Sequence, residues 1–238
     1  MIDATPQSPP LESDDPGVPD KGEFEINLFT HADLSKEAQS VDLLFVDANY
    51  KILPRLAGHE LPTQVKFEFP VAAAKENAGS FRFGVGPAIF GLKVNFYSNE
   101  NTGLSVSLYP QIEFEAPGTR SIEKGLAEQG QTLILPLLVS KELKHFTFVI
   151  NGAINKPVHD PDRESSGAWS AGVRRAFKRK VAAMVEVRDE SSLDLKSNHL
   201  LLLNVGLIHG VRRLILYSQA RHSLFTTTAS DTPTSVSA

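Results

Sequence analysis

The chain contains no cysteine, which excludes disulfides and thiolate metal sites and leaves the redox environment open. It has no run of about 18 apolar residues, so no transmembrane helix is encoded. Nor does it have a basic stripe: the net charge is −4 and the Lys and Arg residues are scattered, a pattern that argues against nucleic acid as a partner. Its seven histidines include neither an HExxH nor an i, i+4 pair, so nothing supports metal catalysis. The opening MIDATPQSPPLESDDPG carries acids and prolines where a signal peptide needs a basic tip and an apolar run. An exported form is therefore expected to begin with a segment that is missing here or already removed.

What the chain has is alternation. Along residues 104–115, LSVSLYPQIEFE, Leu104, Val106, Leu108, Pro110, Ile112 and Phe114 fall on one face of a strand. Ser105, Ser107, Tyr109, Gln111, Glu113 and Glu115 fall on the other. The stretch matches in length the tilted strands of roughly 9–11 residues that cross a bilayer. A hydrophobic content of 41% is compatible with such strands, because half of each one faces a lumen and is polar.

Residues 1–21 are rich in Pro, Asp and Ser and read as a flexible extended arm, followed by a β-barrel domain over residues 22–238. The strands expected after the arm are GEFEINLF, a second from about Val41 to Ile52, QVKFEF, GLKVNFY and LSVSLYPQIEFE. TLILPLLVS, FTFVINGAI, WSAGV, VAAMVEV, LLLLNVGLI and LILYSQARH complete a set of eleven. TLILPLLVS is apolar on both faces, which leaves its inner side unexplained.

The connections carry the strongest signal. Short turns are expected between strands 2–3, 4–5, 6–7, 8–9 and 10–11, and long polar loops such as HADLSKEAQS between the others. Outer-membrane barrels alternate in this way, with tight periplasmic turns and longer outward loops. They also close with an even strand number, so SVSA at the end reads as the start of a truncated twelfth strand. The fold class expected is therefore an all-β, antiparallel, up-and-down transmembrane barrel of about twelve strands, placed in the bacterial outer membrane.

The residues expected to line its interior are Asp47, Asn49, Lys66, Glu68, Lys93, Asn95, Gln111, Glu113, Glu186, Arg188, Asn204, Gln219 and Arg221, all opposite the apolar face. Acids and bases among them nearly balance, so no strong ion selectivity is indicated. Other motifs read as structure rather than chemistry. GVGPAIFG, residues 84–91, lacks the spacing of either nucleotide loop, and GAWSAG around Ser170 is not a nucleophile elbow. His159, Asp160 and Asp162 offer oxygen and nitrogen ligands of the kind a divalent ion takes but read as an ordinary polar loop, and Arg174, Arg175, Lys178, Arg179 and Lys180 form a solvated basic turn that could otherwise meet anionic headgroups. No catalytic residue, metal or cofactor is assigned, and the chain is not read as an enzyme.

The segments ESDDPGVPDKGEFEIN, VDANY, QVKFEFP, GLKVNFY followed by SLYPQIEFEAPG, GLAEQGQTLILPLLVSKEL and NVGLIHGV resemble the transporter-like, or phenol meta-pathway, outer-membrane barrels over about residues 11–236. The resemblance implies outer-membrane lipid as a partner and passage of a small apolar or aromatic solute. It lies in barrel-building motifs and carries over no catalytic residue. AGHELPT departs from it where a tighter turn is expected. Three functions follow: a passive channel or transporter-like pore, a structural or lipid-interacting outer-membrane barrel with a plugged lumen, and a soluble ligand-binding β-barrel. The last requires the opposite polarity, apolar inside and polar outside.

Overall fold

The computed structural model describes residues 13–19, 22, 24–34, 38–56, 58–76, 80–178, 181–193, 199–211 and 214–227. Among them there is no helix. The chain runs through β1 (Phe24–Leu34), β2 (Ala38–Ile52), β3 (Arg55–Leu56), β4 (His59–Glu60), β5 (Thr63–Glu76), β6 (Arg82–Val85), β7 (Ala88–Asn99) and β8 (Leu104–Leu108). It continues through β9 (Gln111–Phe114), β10 (Gln131–Leu143), β11 (Phe146–Val158), β12 (Ser166–Lys178), β13 (Val181–Ser192), β14 (His199–Val211) and β15 (Leu214–Thr227).

Among the described residues, thirteen strands form one antiparallel sheet, in the order β1-β2-β5-β7-β8-β10-β11-β12-β13-β14-β15, with β6 on β5 and β9 between β7 and β10. The order along the sheet is the order along the chain, the meander that the alternation implied. β3 and β4 make a separate small hairpin.

Three local expectations are corrected. The strand expected over residues 104–115 is interrupted at Tyr109 and Pro110. Proline has no N–H to give the ladder, but the register against β10 is the same on both sides, and the Tyr109 amide donates to the Pro136 carbonyl at 2.9 Å. HADLSKEAQS is not a long loop, because β1 and β2 run into it and only 35–37 separate them. The connection 53–62, expected to be short, carries the β3–β4 hairpin.

From β7 onward the loop rhythm is the expected one. One end of the sheet carries 100–103, 144–145, 179–180 and 212–213, and the other carries 115–130, 159–165 and 193–198. The loop 115–130 is built by its own bonds, the Glu115 carboxylate accepting from the Ile122 amide at 2.9 Å and from the Ser121 hydroxyl at 3.2 Å. It packs on β6, where a Cβ on Gly84 would lie 2.9 Å from Leu126 Cδ1.

The sheet is strongly curled. Ser13 bonds Glu186 on β13 while its neighbour Asp14 pairs with Lys66 on β5. Flat strands spaced about 4.8 Å apart would put β5 and β13 roughly 30 Å from each other. Only a sheet bent around residues 13–17 brings both to adjacent residues.

Polarity follows the curl. On the inner face Lys93, Glu186 and Asn204 are 1%, 0% and 2% exposed, whereas on the outer face Phe24, Ile26 and Leu28 are 72%, 63% and 64% exposed. The same outer exposure continues through Leu133, Leu135, Leu137, Ile150, Ile154, Val205 and Leu207. This inverts the ordinary arrangement, in which charged groups are almost never fully buried.

Candidate functional site

The inner face is where the polar residues meet. Alternation alone puts them there, since each inward side chain is followed by an outward apolar one. Asp47, Asn49, Lys66, Glu68, Lys93, Asn95, Glu186 and Asn204 are buried, while Gln111, Glu113, Arg188 and Arg221 are half-buried. Gln219 is exposed but lies on the same face, because it pairs with Gly206 as Arg221 pairs with Asn204. The residues expected inside therefore share one face of the sheet.

They fall into linked groups. On β1, β2 and β5, Asn27 donates to Asp47 at 3.1 Å, Asn49 donates to Asp47 at 2.8 Å, and Gln64 donates to Asn49. Lys66 pairs with Glu68 on its own strand. Across the sheet, Asn204 donates to Glu186 at 2.7 Å and Arg188 pairs with Glu190 at 3.5 Å. Burying these charges would cost several kcal/mol each if they stood alone.

The groups are joined by a segment read as a flexible arm. Ser13 donates its amide to Glu186 at 2.8 Å, and its hydroxyl bonds both Glu186 and Ser170, the latter at 2.7 Å. The Asp14 carboxylate lies 3.5 Å from Lys93 Nζ and 3.8 Å from Lys66 Nζ. Its carbonyl accepts from Asn151 at 3.0 Å. Lys93 also donates to the Asp15 carbonyl at 2.8 Å, and the Pro16 carbonyl accepts from Asn95 at 3.0 Å and from Ser107 at 2.5 Å. Residues 13–17 thus occupy the interior and hold side chains from β5, β7, β8, β11, β12 and β13. The remainder of residues 1–12 lies outside the described residues.

Burial opposes ionisation of Asp14, but the Lys66 and Lys93 ammoniums outweigh it and hold its carboxyl below the ordinary 3.8. Asp15 is pushed the other way by burial, despite the bond its carboxylate accepts from the Gly17 amide at 2.6 Å.

Tyr109 forms the floor under this ion pair. Its ring is completely buried, with Lys93 Nζ 5.0 Å and Lys66 Nζ 5.4 Å from the centroid. An ammonium over an aromatic face is attracted by the ring quadrupole. The Tyr109 hydroxyl is buried and, among the described residues, has no hydrogen-bond partner.

Beside the segment lies a cavity of about 420 Å³. Its lining mixes polar side chains, Asp14, Asp47, Lys66, Glu68, Gln111, Asn151 and Arg188, with apolar ones, Phe29, Phe45, Ile89, Ile134, Pro136 and Leu138. The apolar inner side of TLILPLLVS, unexplained from the sequence, is part of this lining. A smaller space of about 180 Å³ sits among Glu113, Thr132, Arg163, Glu164 and Glu190. There Arg163 pairs with Glu128 and donates to Thr132 at 3.2 Å.

The remaining motifs are structural where they are described. Gly84 and Gly86 sit against Leu126 and Pro70, with a Cβ on Gly86 falling 2.7 Å from Pro70 Cγ. Ser170 is buried in mid-strand against Ser13. His159 is exposed in the left-handed region at φ 63°, and Asp160 accepts from the Asp162 amide at 3.1 Å. The basic turn is divided between faces. Arg174 is buried and donates to Thr147 at 3.0 Å, whereas Arg175 lies over Phe146 and Phe177 at 5.5 and 5.1 Å. Arg179, Lys180 and the Lys178 side chain lie outside the described residues.

Sequence reasoning missed Ser13, Asp14, Pro16, Tyr109 and Asn151 as partners in the interior. Tyr109 and Asn151 were legible as polar-face positions. The segment 13–17 has no periodicity to read, and its charges look like those of any solvated arm. No known family model matches the chain and no curated protein matches it, so the resemblance to transporter-like barrels rests on the quoted motifs alone.

Proposed function

We propose that the chain is an outer-membrane β-barrel that handles a small solute in its lumen, with residues 13–17 seated there as an internal plug. The observation that carries this reading is the inverted polarity: buried Lys93, Glu186 and Asn204 inside, and a continuous belt of exposed Leu, Ile, Val and Phe outside. In water such a belt far exceeds the apolar patches that soluble monomers expose. In lipid it is the expected coat.

Aromatic residues at strand ends support the same reading. Phe24 opens β1, Tyr50 lies near the end of β2 and stacks on Phe24 at 4.5 Å, Phe96 and Tyr97 lie near the end of β7, and Phe146 opens β11. All belong to the end that carries the two-residue turns, and aromatic side chains favour the membrane–water boundary. Arg175 over Phe146 and Phe177 adds a cation there.

The lumen reads as a solute site rather than a packed filler because it keeps a cavity of about 420 Å³ lined by both polar and apolar side chains. That combination suits a small amphipathic or aromatic molecule. Closure of the barrel belongs to this proposal as well, since β1 and β15 are the two ends of the sheet order.

The test is membrane fractionation of the expressed chain, followed by refolding into liposomes and flotation. Recovery with the membranes, and floating protein whose gel mobility changes on heating, is the expected result. Full recovery in the aqueous fraction without detergent would overturn the proposal.

A further inference from the structure

We infer that Lys66, Lys93 and Tyr109 form a recognition site for the carboxylate of a small organic acid, occupied in this structure by the Asp14 side chain, so that solute and N-terminal segment exclude one another. The inference deepens the solute-handling reading above and rests on it, but it does not require lipid.

Three features carry it. First, Lys93 is 1% exposed and, among the described residues, Asp14 is the carboxylate within ion-pair distance of it. A buried ammonium without an anion is strongly disfavoured, so wherever the segment withdraws, another anion is drawn to the same place. Second, the Tyr109 hydroxyl is a buried donor with no partner among the described residues. Such a group is normally satisfied, and a carboxylate bound beside the two ammoniums has lone pairs to accept from it. Third, Ile89, Ile134, Pro136 and Leu138 line the same cavity as Asp14 and Lys66. A carboxylate with a short apolar tail meets both kinds of lining, whereas inorganic anions and neutral alcohols meet one each.

The experiment uses the full-length protein in detergent, with hexanoate as probe and hexanol, hexylammonium and chloride as comparisons. Because the chain has no cysteine, Val18→Cys gives a single thiol whose labelling rate by a water-soluble maleimide reports withdrawal of the segment. Hexanoate is expected to bind saturably and to raise the labelling rate, while the comparison solutes do neither. Asp14→Asn, which removes the competing charge, is expected to tighten hexanoate binding by about tenfold or more, the factor that corresponds to one charge-assisted contact. Lys93→Gln is expected to abolish binding. Unchanged hexanoate affinity in Asp14→Asn, or equal binding of hexanol, would overturn the inference even if Lys93→Gln fails to fold. Conductance without hexanoate binding would remove this inference and leave the proposed function. Hexanoate binding by a chain that never enters membranes would do the reverse.

Discussion

Gly91 on β7 leaves the space that the Tyr109 ring fills: a Cβ at position 91 would lie 2.9 Å from Tyr109 Cε2. The glycine is thus what lets a full aromatic ring lie against the neighbouring strand beneath Lys66 and Lys93. Gly91→Ala is expected to overpack this contact and destabilise the fold by about 1–3 kcal/mol. Gly152, with nothing within 4 Å of its would-be Cβ, provides the control, and Gly152→Ala should be close to neutral. Denaturant unfolding in detergent compares the two. Equal stabilities would remove the packing role given to Gly91.

The two faces of the sheet predict opposite responses to charge. Leu135 is exposed on the outer face, the face that the proposed function gives to lipid, where Leu135→Arg should cost roughly 2–4 kcal/mol. Gln219 faces inward but is exposed, so Gln219→Arg should be tolerated. Folding yield into liposomes is the measurement, and equal yields would contradict the assignment of faces.

The segment 13–17 should be a plug of limited strength. Ser13→Ala removes the hydroxyl bonds to Glu186 and Ser170 and is expected to weaken docking by about 1–3 kcal/mol, since two buried partners are left without the hydroxyl. Deleting residues 1–17 should raise conductance in planar bilayers while lowering stability, because Lys93 and Glu186 lose partners. A deletion that leaves conductance unchanged would show that the segment does not obstruct the path.

The pH dependence of docking follows from Asp14. Its folded-state carboxyl is held below the ordinary 3.8, so its contribution is present above that value and is lost as pH falls through the lower folded one. Asp15, raised by burial, protonates earlier and acts with the opposite sign, favouring the docked state as it loses charge. Relative to a free thiol at the same pH, labelling at Val18→Cys should therefore stay slow as pH falls and rise only below the ordinary 3.8. Release beginning near neutral pH would exclude Asp14 as the controlling group.

Period-two alternation made the strands and the inner polar set legible, because both depend only on which way successive side chains point. It could not reveal what those side chains touch. Ser107 read only as a polar-face position, yet it is completely buried beneath the Pro16 carbonyl, because an aperiodic segment far away in sequence lies across it. The pause at Pro110 comes from its missing N–H, which side-chain alternation does not register, and the β3–β4 hairpin forms by backbone pairing within a turn-like composition. The apolar inner side of β10 made sense only once the cavity opposite it was in view.

Trp169 offers the most direct measurement of the central claim. It is the single tryptophan of the chain, it is 48% exposed, and it lies near the start of β12. In liposomes carrying brominated acyl chains, its emission is expected to be strongly quenched and to resist iodide added to the water. Emission that iodide quenches and bromolipid leaves untouched would contradict a sheet whose apolar face is covered by lipid.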